Sequence, residues 1–109
     1  LGIKAGLDPK LIHEVLPKGA GGSTMLQVRG EYMANSDYRY EEGTIFNVFQ
    51  KDCSIISEYA ASMKSPIHLF AAARQTFNSA IALGLDHHEL AAVCKAVEVA
   101  AGVDREMVE

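Results

Sequence analysis

A chain of 109 residues is about one domain, and a domain of that size hides roughly two thirds of its unfolded surface, enough for a core of its own. Hydrophobic residues make up 49% of it, yet no uninterrupted apolar run approaches the roughly 20 residues that cross a bilayer, so a soluble protein without a membrane partner is expected. The formal charge is −4 and the sequence holds no basic cluster for phosphates to land on, which argues against nucleic acid as a partner.

In chain order the pattern is helical. LGIKAG at the start reads as the end of a helix, terminated at Gly6, and with no initiator Met and no basic-then-apolar leader it suggests a fragment. Asp8-Pro9 then starts a short helix, the carboxylate capping free amides and the proline suiting the first turn, with Leu11, Ile12, Val15 and Leu16 facing a core. Pro17 and Gly19 end it. After the loop 19–23, Ser23 caps a helix over roughly 24–35, carrying Met25, Leu26, Tyr32 and Met33, and the polar and aromatic stretch 36–43 reads as an exposed excursion.

The next helix, ending near Lys64, carries two apolar lines. Ile45, Phe49, Cys53, Ile56, Ala60 and Met63 form one, and Val48, Ile55 and Tyr59 form the other. A helix apolar on two sides is expected to be buried, which makes the Lys51-Asp52 pair within it conspicuous. A buried lysine must be paired, lose its proton or reach a polar cavity; otherwise Lys51 lays its stem along the helix and keeps its head in water. Ser65-Pro66 starts a further helix with Ile67, Leu69, Phe70, Ala73, Phe77, Ala80 and Ile81 inside and Gly84 as its stop. Asp86 caps the last helix, Glu89 completes a capping box, and Leu90, Val93, Cys94 and Val97 form its stripe. No segment alternates long enough to be a strand, so the fold class is all-α.

Few residues invite chemistry. Cys53 and Cys94 sit on apolar stripes, where a thiol behaves as a small hydrophobe, which points to reduced core residues and a cytoplasmic setting. Gly19, Gly21 and Gly22 lack the preceding strand and following Gly-Lys-Ser/Thr of a phosphate loop, although the amides around Ser23 can face an anion. His87 and His88 point about 100° apart on a helix, the wrong spacing for a shared ion, so no metal site is expected. Arg74 and Asn78 lie one turn apart and either line a polar cavity or an intersubunit contact, or meet solvent.

The ordered set GLDP at 6–9, Gly22-Ser23, Arg29, Asp37-Tyr38, Phe49-x-Lys51-Asp52, Ser65-Pro66-Ile67, AxxxFxxAxxLG within 73–84 and AAV at 91–93 resembles a known domain. It is similar to the C-terminal helical domain of the β-hydroxyacid (3-hydroxyisobutyrate) dehydrogenase family, whose fold is shared with the 6-phosphogluconate dehydrogenases. GGSTMLQVRGEYM and IFNVFQKD look closest to the L-threonate dehydrogenase-like branch.

This resemblance implies a parent protein with an N-terminal Rossmann domain that binds NAD or NADP, followed by a GxGxxxKxxNN helix with the catalytic lysine, both upstream of residue 1. The fragment alone is then inactive and holds no catalytic residue. The implied reaction is hydride transfer between NAD(P) and a short 3-hydroxy acid, such as 3-hydroxyisobutyrate or a sugar acid. Lys51 and Phe49 fall to the cofactor side, and Asp52 and Ser23 to the substrate. Some relatives carry a phenylalanine eight residues before the aspartate, where this chain has Thr44. The implied partners are the Rossmann domain, the hydroxyacid and a second copy in a homodimer or larger assembly. A non-catalytic helical oligomerisation module is the competing expectation.

Overall fold

A computed structural model of the chain describes residues 1–40 and 45–107. Its helices are α1 (Pro9–Val15), α2 (Thr24–Asn35), α3 (Ile45–Ser62), α4 (His68–Ala82) and α5 (Val93–Ala100), with 3₁₀ turns at Leu16–Lys18 and Leu90–Ala92. Among the described residues the only extended pairing is an isolated antiparallel bridge between Tyr40 and His88, in keeping with an all-α chain. No helix among them is long and apolar enough to cross a membrane.

Local chemistry sets the helix ends. The Asp8 carboxylate accepts from the Lys10 amide at 2.9 Å and starts α1, and the Ser23 hydroxyl accepts from the Leu26 amide at 3.0 Å and starts α2. Ser36, in the left-handed region at φ 54°, closes α2 by turning its amide back to the carbonyls of Tyr32 and Met33. Gly84 at φ +79° ends α4, a conformation that side chains with a Cβ rarely adopt.

The core gathers Tyr38, Phe46, Ala80, Leu85, Ala91, Ala92 and Ala96, with Phe77, Ile81, Leu90 and Cys94 packed around them. Alanines dominate the seam between α4 and α5 and let the two backbones approach closely. Phe46 is fully buried, worth about 1.5–3 kcal/mol relative to exposure, and its ring meets Phe77 edge-on at 6.2 Å.

Several expectations change in three dimensions. Residues 36–40 are not an exposed excursion throughout: Ser36 and Tyr38 are buried, because the segment folds under the chain at 88–89, where the Glu89 amide donates to the Arg39 carbonyl at 3.0 Å. The rest of that stretch, 41–43, and Thr44 lie outside the described residues. Helix α4 starts at His68 rather than at Ser65-Pro66, and Leu69 is 88% exposed because α4's first turn extends beyond the core. Leu11, Val15 and Leu16 are more than half exposed, α1 meeting the rest of the molecule through Ile12 and His13. Asp86 caps nothing in α5; Glu89 itself accepts from the Ala91 amide at 2.6 Å and starts a 3₁₀ turn that runs into the helix. Val97 is half exposed, and Glu98 takes the inner position instead.

Glu98 is inside because Arg105 folds back over it. The guanidinium pairs with the Glu98 carboxylate and also donates to the carbonyls of Met33 at 2.8 Å and Ala34 at 3.1 Å. It thus satisfies the carbonyls that α2 leaves open at its end. Lys95 holds the same segment by donating to the Arg105 carbonyl at 2.6 Å.

Close approach explains Gly30, the buried glycine in the middle of α2. His13 Nε2 lies 3.0 Å from the Gln27 carbonyl and 3.2 Å from that of Leu26, so this nitrogen carries the proton and the ring lies flat on the helix. A Cβ at Gly30 would stand 2.6 Å from His13 Cδ2. Gly30→Ala gains about 1 kcal/mol in helix propensity but forces the imidazole off both carbonyls. A net loss of roughly 1–2 kcal/mol is expected, read as a lower urea midpoint, and His13→Ala in the same background should remove it.

Tyr38 and Cys94 share a buried pocket beside Glu98. Burial pushes the Cys94 thiol above its ordinary value of 9.0, and burial, then Cys94, pushes the Tyr38 hydroxyl above 10.0. Both groups stay neutral in the fold at pH values where the unfolded chain ionises them. Folding therefore loses protection as pH rises: stability is full below about 9 and declines above it, first through Cys94 and then through Tyr38. Among the described residues the Tyr38 hydroxyl has no hydrogen-bond partner. Tyr38→Phe is expected to leave neutral-pH stability equal or raise it by about 1 kcal/mol, and to flatten the alkaline decline, as read by thermal melts at stepped pH.

Candidate functional site on α3

The first half of α3 presents a small hollow. Phe46 anchors the helix in the core, and Phe49, three residues on and just short of a full turn, stacks on Phe77 with centroids 4.2 Å apart and planes tilted by 37°. That fixes the Phe49 ring. Ile45, Val48, Phe49 and Asp52 line one side of a cavity of about 290 Å³, and Leu90 closes the other.

Leu90 is held from behind. Its neighbour Glu89 accepts from Arg29 Nε at 3.0 Å and from the Ala91 amide, while its own amide binds Arg39. The carboxylate is buried, with the guanidinium 29% exposed, so this ion pair braces α2 against the turn that carries Leu90. A second set of contacts fixes α3 on α4. Arg74 donates to Gln50 Oε1 at 3.2 Å and to the Ser54 hydroxyl at 2.8 Å, and Gln50 donates to Asn78 at 3.0 Å. Arg74 and Asn78 are therefore engaged between helices.

Lys51 is exposed, and so is Asp52. The burial expected of this helix is not observed. Only Phe46, Cys53 and Ala60, each seven residues from the next, are buried, because α3 meets the core along that single line. Val48, Ile55, Ile56, Tyr59 and Met63 stay about half exposed or more. Lys51 accordingly carries its ammonium group in water, beside but not lining the hollow that Phe49 and Asp52 share. Ser23 is exposed at the start of α2 with its oxygen committed to the Leu26 amide, and it does not line this hollow. His87 lies 3.6 Å from Asp86 and both histidines flank the Tyr40 ring; no three metal-binding side chains come together among the described residues.

Residues 1–97 match the family model described as NAD-binding of NADP-dependent 3-hydroxyisobutyrate dehydrogenase. The chain belongs to this family. Members related to it include L-threonate dehydrogenase of Cupriavidus necator, 32% identical over 95 residues that cover 87% of this chain and 31% of that protein. Another is 2-(hydroxymethyl)glutarate dehydrogenase of Eubacterium barkeri, 29% identical over 94% of this chain and 34% of that protein. A crystal structure of 3-hydroxyisobutyrate dehydrogenase from Salmonella typhimurium superposes with a TM-score of 0.77 at 26% identity, covering 86% of this chain and 32% of that one. The chain thus spans about a third of the length of the relatives it matches. Its likeness to the 3-hydroxyisobutyrate dehydrogenase family covers Ser23, Phe49, Lys51 and Asp52, whereas Arg105 lies beyond the matched range.

Sequence reading alone singled out Phe49, Lys51 and Asp52 but left Leu90 as an ordinary stripe residue. The joining of Arg29 to Glu89 was also missed. A signal existed in an isolated arginine on α2 and an acid next to a buried turn, but their separation of 60 positions hides the pairing.

Proposed function

We propose that the chain is the C-terminal helical domain of an NAD(P)-dependent 3-hydroxyacid dehydrogenase whose Rossmann domain precedes it in the parent protein. The observation that carries this reading is the family match over residues 1–97 combined with the length of the relatives, about two thirds of which lies outside the matched part.

When bound, NAD(P)⁺ would supply the hydride acceptor for oxidation of the hydroxyacid's carbinol carbon. The residues of this chain contribute the edge of the cleft. Phe49, immobilised by Phe77, is an apolar wall suited to the nicotinamide side. The exposed Lys51 ammonium offers an anionic cofactor or substrate a counter-charge without first having to be desolvated. Asp52 lines the hollow, where it accepts a hydrogen bond from a substrate hydroxyl; the Ser23 hydroxyl, outside the hollow at the start of α2, keeps its proton to donate to substrate that the upstream domain brings there. The lysine that takes the hydroxyl proton belongs to the upstream helix in this reading.

The exposed apolar surface of α3, from Val48 to Met63, has the character of a face covered by a second copy. A radius of gyration of 14.9 Å, against about 13 Å for a compact domain of this length, fits an α3–α4 pair that reaches out from the core. We assign it to a homodimer or larger assembly.

The test is to purify the 109-residue chain and the full-length protein encoded by the same reading frame and follow NAD(P)H formation with short 3-hydroxy acids. The full-length protein is expected to turn over and the chain alone is not. Absence of a nucleotide-binding domain upstream, or absence of nucleotide binding by the full-length protein, would favour the non-catalytic oligomerisation module instead.

A further inference from the structure

We propose that Arg74 is a positioning residue for Lys51, acting from α4 to fix the rotation of α3 about its own axis; this rests on the dehydrogenase reading above.

Helix α3 is open to such rotation. Its buried residues Phe46, Cys53 and Ala60 follow one another at intervals of seven, close to two helical turns, so they mark a single line along the helix. A cylinder held along one line resists sliding and lifting more than rolling. At about 100° per residue, Phe49 stands about 60° to one side of Phe46, where its stack on Phe77 restrains the roll. Lys51 stands about 140° to the other side, exposed.

Gln50 and Ser54 fall on that other side, about 40° and 80° from Phe46, and Arg74 holds both. Its guanidinium donates from Nε to Gln50 Oε1 at 3.2 Å and from a terminal nitrogen to the Ser54 hydroxyl at 2.8 Å. The two acceptors bracket Lys51 in sequence and sit one turn apart, so one rigid fork grips the turn that carries it. Both are uncharged oxygens, and the guanidinium therefore supplies geometry here rather than neutralisation. Gln50 is tied a second time, its amide nitrogen donating to Asn78 Oδ1 at 3.0 Å, while Asn78 donates to Gln75 at 3.1 Å. Both ends of the Gln50 amide are thus engaged by α4, and a roll of α3 breaks the set.

Small rotations matter because side-chain ends lie far from the axis. At about 5–6 Å from it, a roll of about 20° carries a group roughly 2 Å sideways. A misplacement of about 1 Å costs up to about 100-fold in rate. The flexible Lys51 stem recovers part of the shift, which brings the expected loss to about 10-fold.

The experiment is a double-mutant cycle on kcat/KM of the full-length protein with NAD(P) and a short 3-hydroxy acid. It compares wild type, Arg74→Met, Lys51→Ala and the double variant, all assayed well below their melting temperatures. Arg74→Met is expected to lose about 10-fold in the wild-type background and about 2-fold at most once Lys51 is absent, because the group it positions is then gone. Arg74→Lys, with a point donor in place of the fork, should recover part of the loss. Equal losses in the two backgrounds would make Arg74 a merely structural residue, and no loss in the wild-type background would exclude it. Either result overturns the proposal and leaves the dehydrogenase reading intact. Should Arg74→Met fail to fold, Ser54→Ala, which removes one of the two acceptors, takes its place in the cycle with an expected loss of about 3-fold and the same two contrary outcomes. A wild type that binds neither NAD nor NADP and oxidises no 3-hydroxy acid would sink the underlying reading, and the proposal with it.

Discussion

Arg105→Ala is expected to cost about 3–5 kcal/mol of stability, a third or more of what a domain this size commonly has. Glu98 is 5% exposed, and one of its oxygens already lacks a partner among the described residues. Removing the guanidinium leaves that carboxylate inside the protein with only the weak contact of the Cys94 thiol at 3.8 Å. The same substitution frees the Ala34 carbonyl at the end of α2 and leaves that of Met33 with the Ser36 amide alone. The loss is thus a buried charge without its partner, together with one unpaired carbonyl at the helix end. Urea unfolding of the 109-residue chain should show a large fall in midpoint. Replacing both members, as in Glu98→Leu with Arg105→Met, should recover much of it, because no charge then remains to be desolvated. A single-variant cost below about 1 kcal/mol would mean that Arg105 is a surface residue lying loosely on Glu98.

Much of the fold can be read locally, and the physical reason is short range. Ser23 and Asp8 cap helices within two or three residues of themselves, so spacing alone finds the starts of α1 and α2. The left-handed glycine at position 84 is equally local. Burial is not. Tyr38 sits in what reads as a polar loop, and it is inside because residues near position 88 lie over it. Glu98 reads as a solvated acid until Arg105, seven residues on, and α2, more than sixty residues back, close around it. Helix α3 shows the converse. Its two apolar lines promise a buried helix, but apolar periodicity measures a preference to leave water and does not say whether the covering surface belongs to this chain or to another.

The candidate site was legible in the same uneven way. Phe49 and Asp52, placed at the site by the family resemblance around Lys51, line one hollow. Leu90 and its brace from Arg29 through Glu89 depend on the approach of α2 to a turn 60 residues later. Ser23, assigned to the substrate on resemblance, stands at its helix cap. Its substrate role depends on where the upstream domain brings the hydroxyacid.

Lys51 carries the second large expected effect. Its ammonium group is exposed on α3 next to the hollow, with no packing role in this chain, so truncation should leave the fold untouched. In the dehydrogenase reading it faces the cleft, where a fixed cation close to the substrate carboxylate and cofactor phosphates is worth far more than in bulk water. Lys51→Ala in the full-length protein is therefore expected to lower kcat/KM about 100-fold at unchanged melting temperature. Lys51→Arg should retain more of the rate than Lys51→Ala, because it keeps the charge while changing its reach and geometry.

The most direct test of the account is the rate of hydride transfer by the full-length protein, read as NAD(P)H formation from a short 3-hydroxy acid, in the wild type and in Lys51→Ala. The account predicts turnover in the wild type and its near loss in a folded variant. Equal kcat and KM in the two proteins would remove Lys51 from the active site, and a wild type that binds neither NAD nor NADP and turns over no 3-hydroxy acid in their presence would contradict the dehydrogenase reading itself.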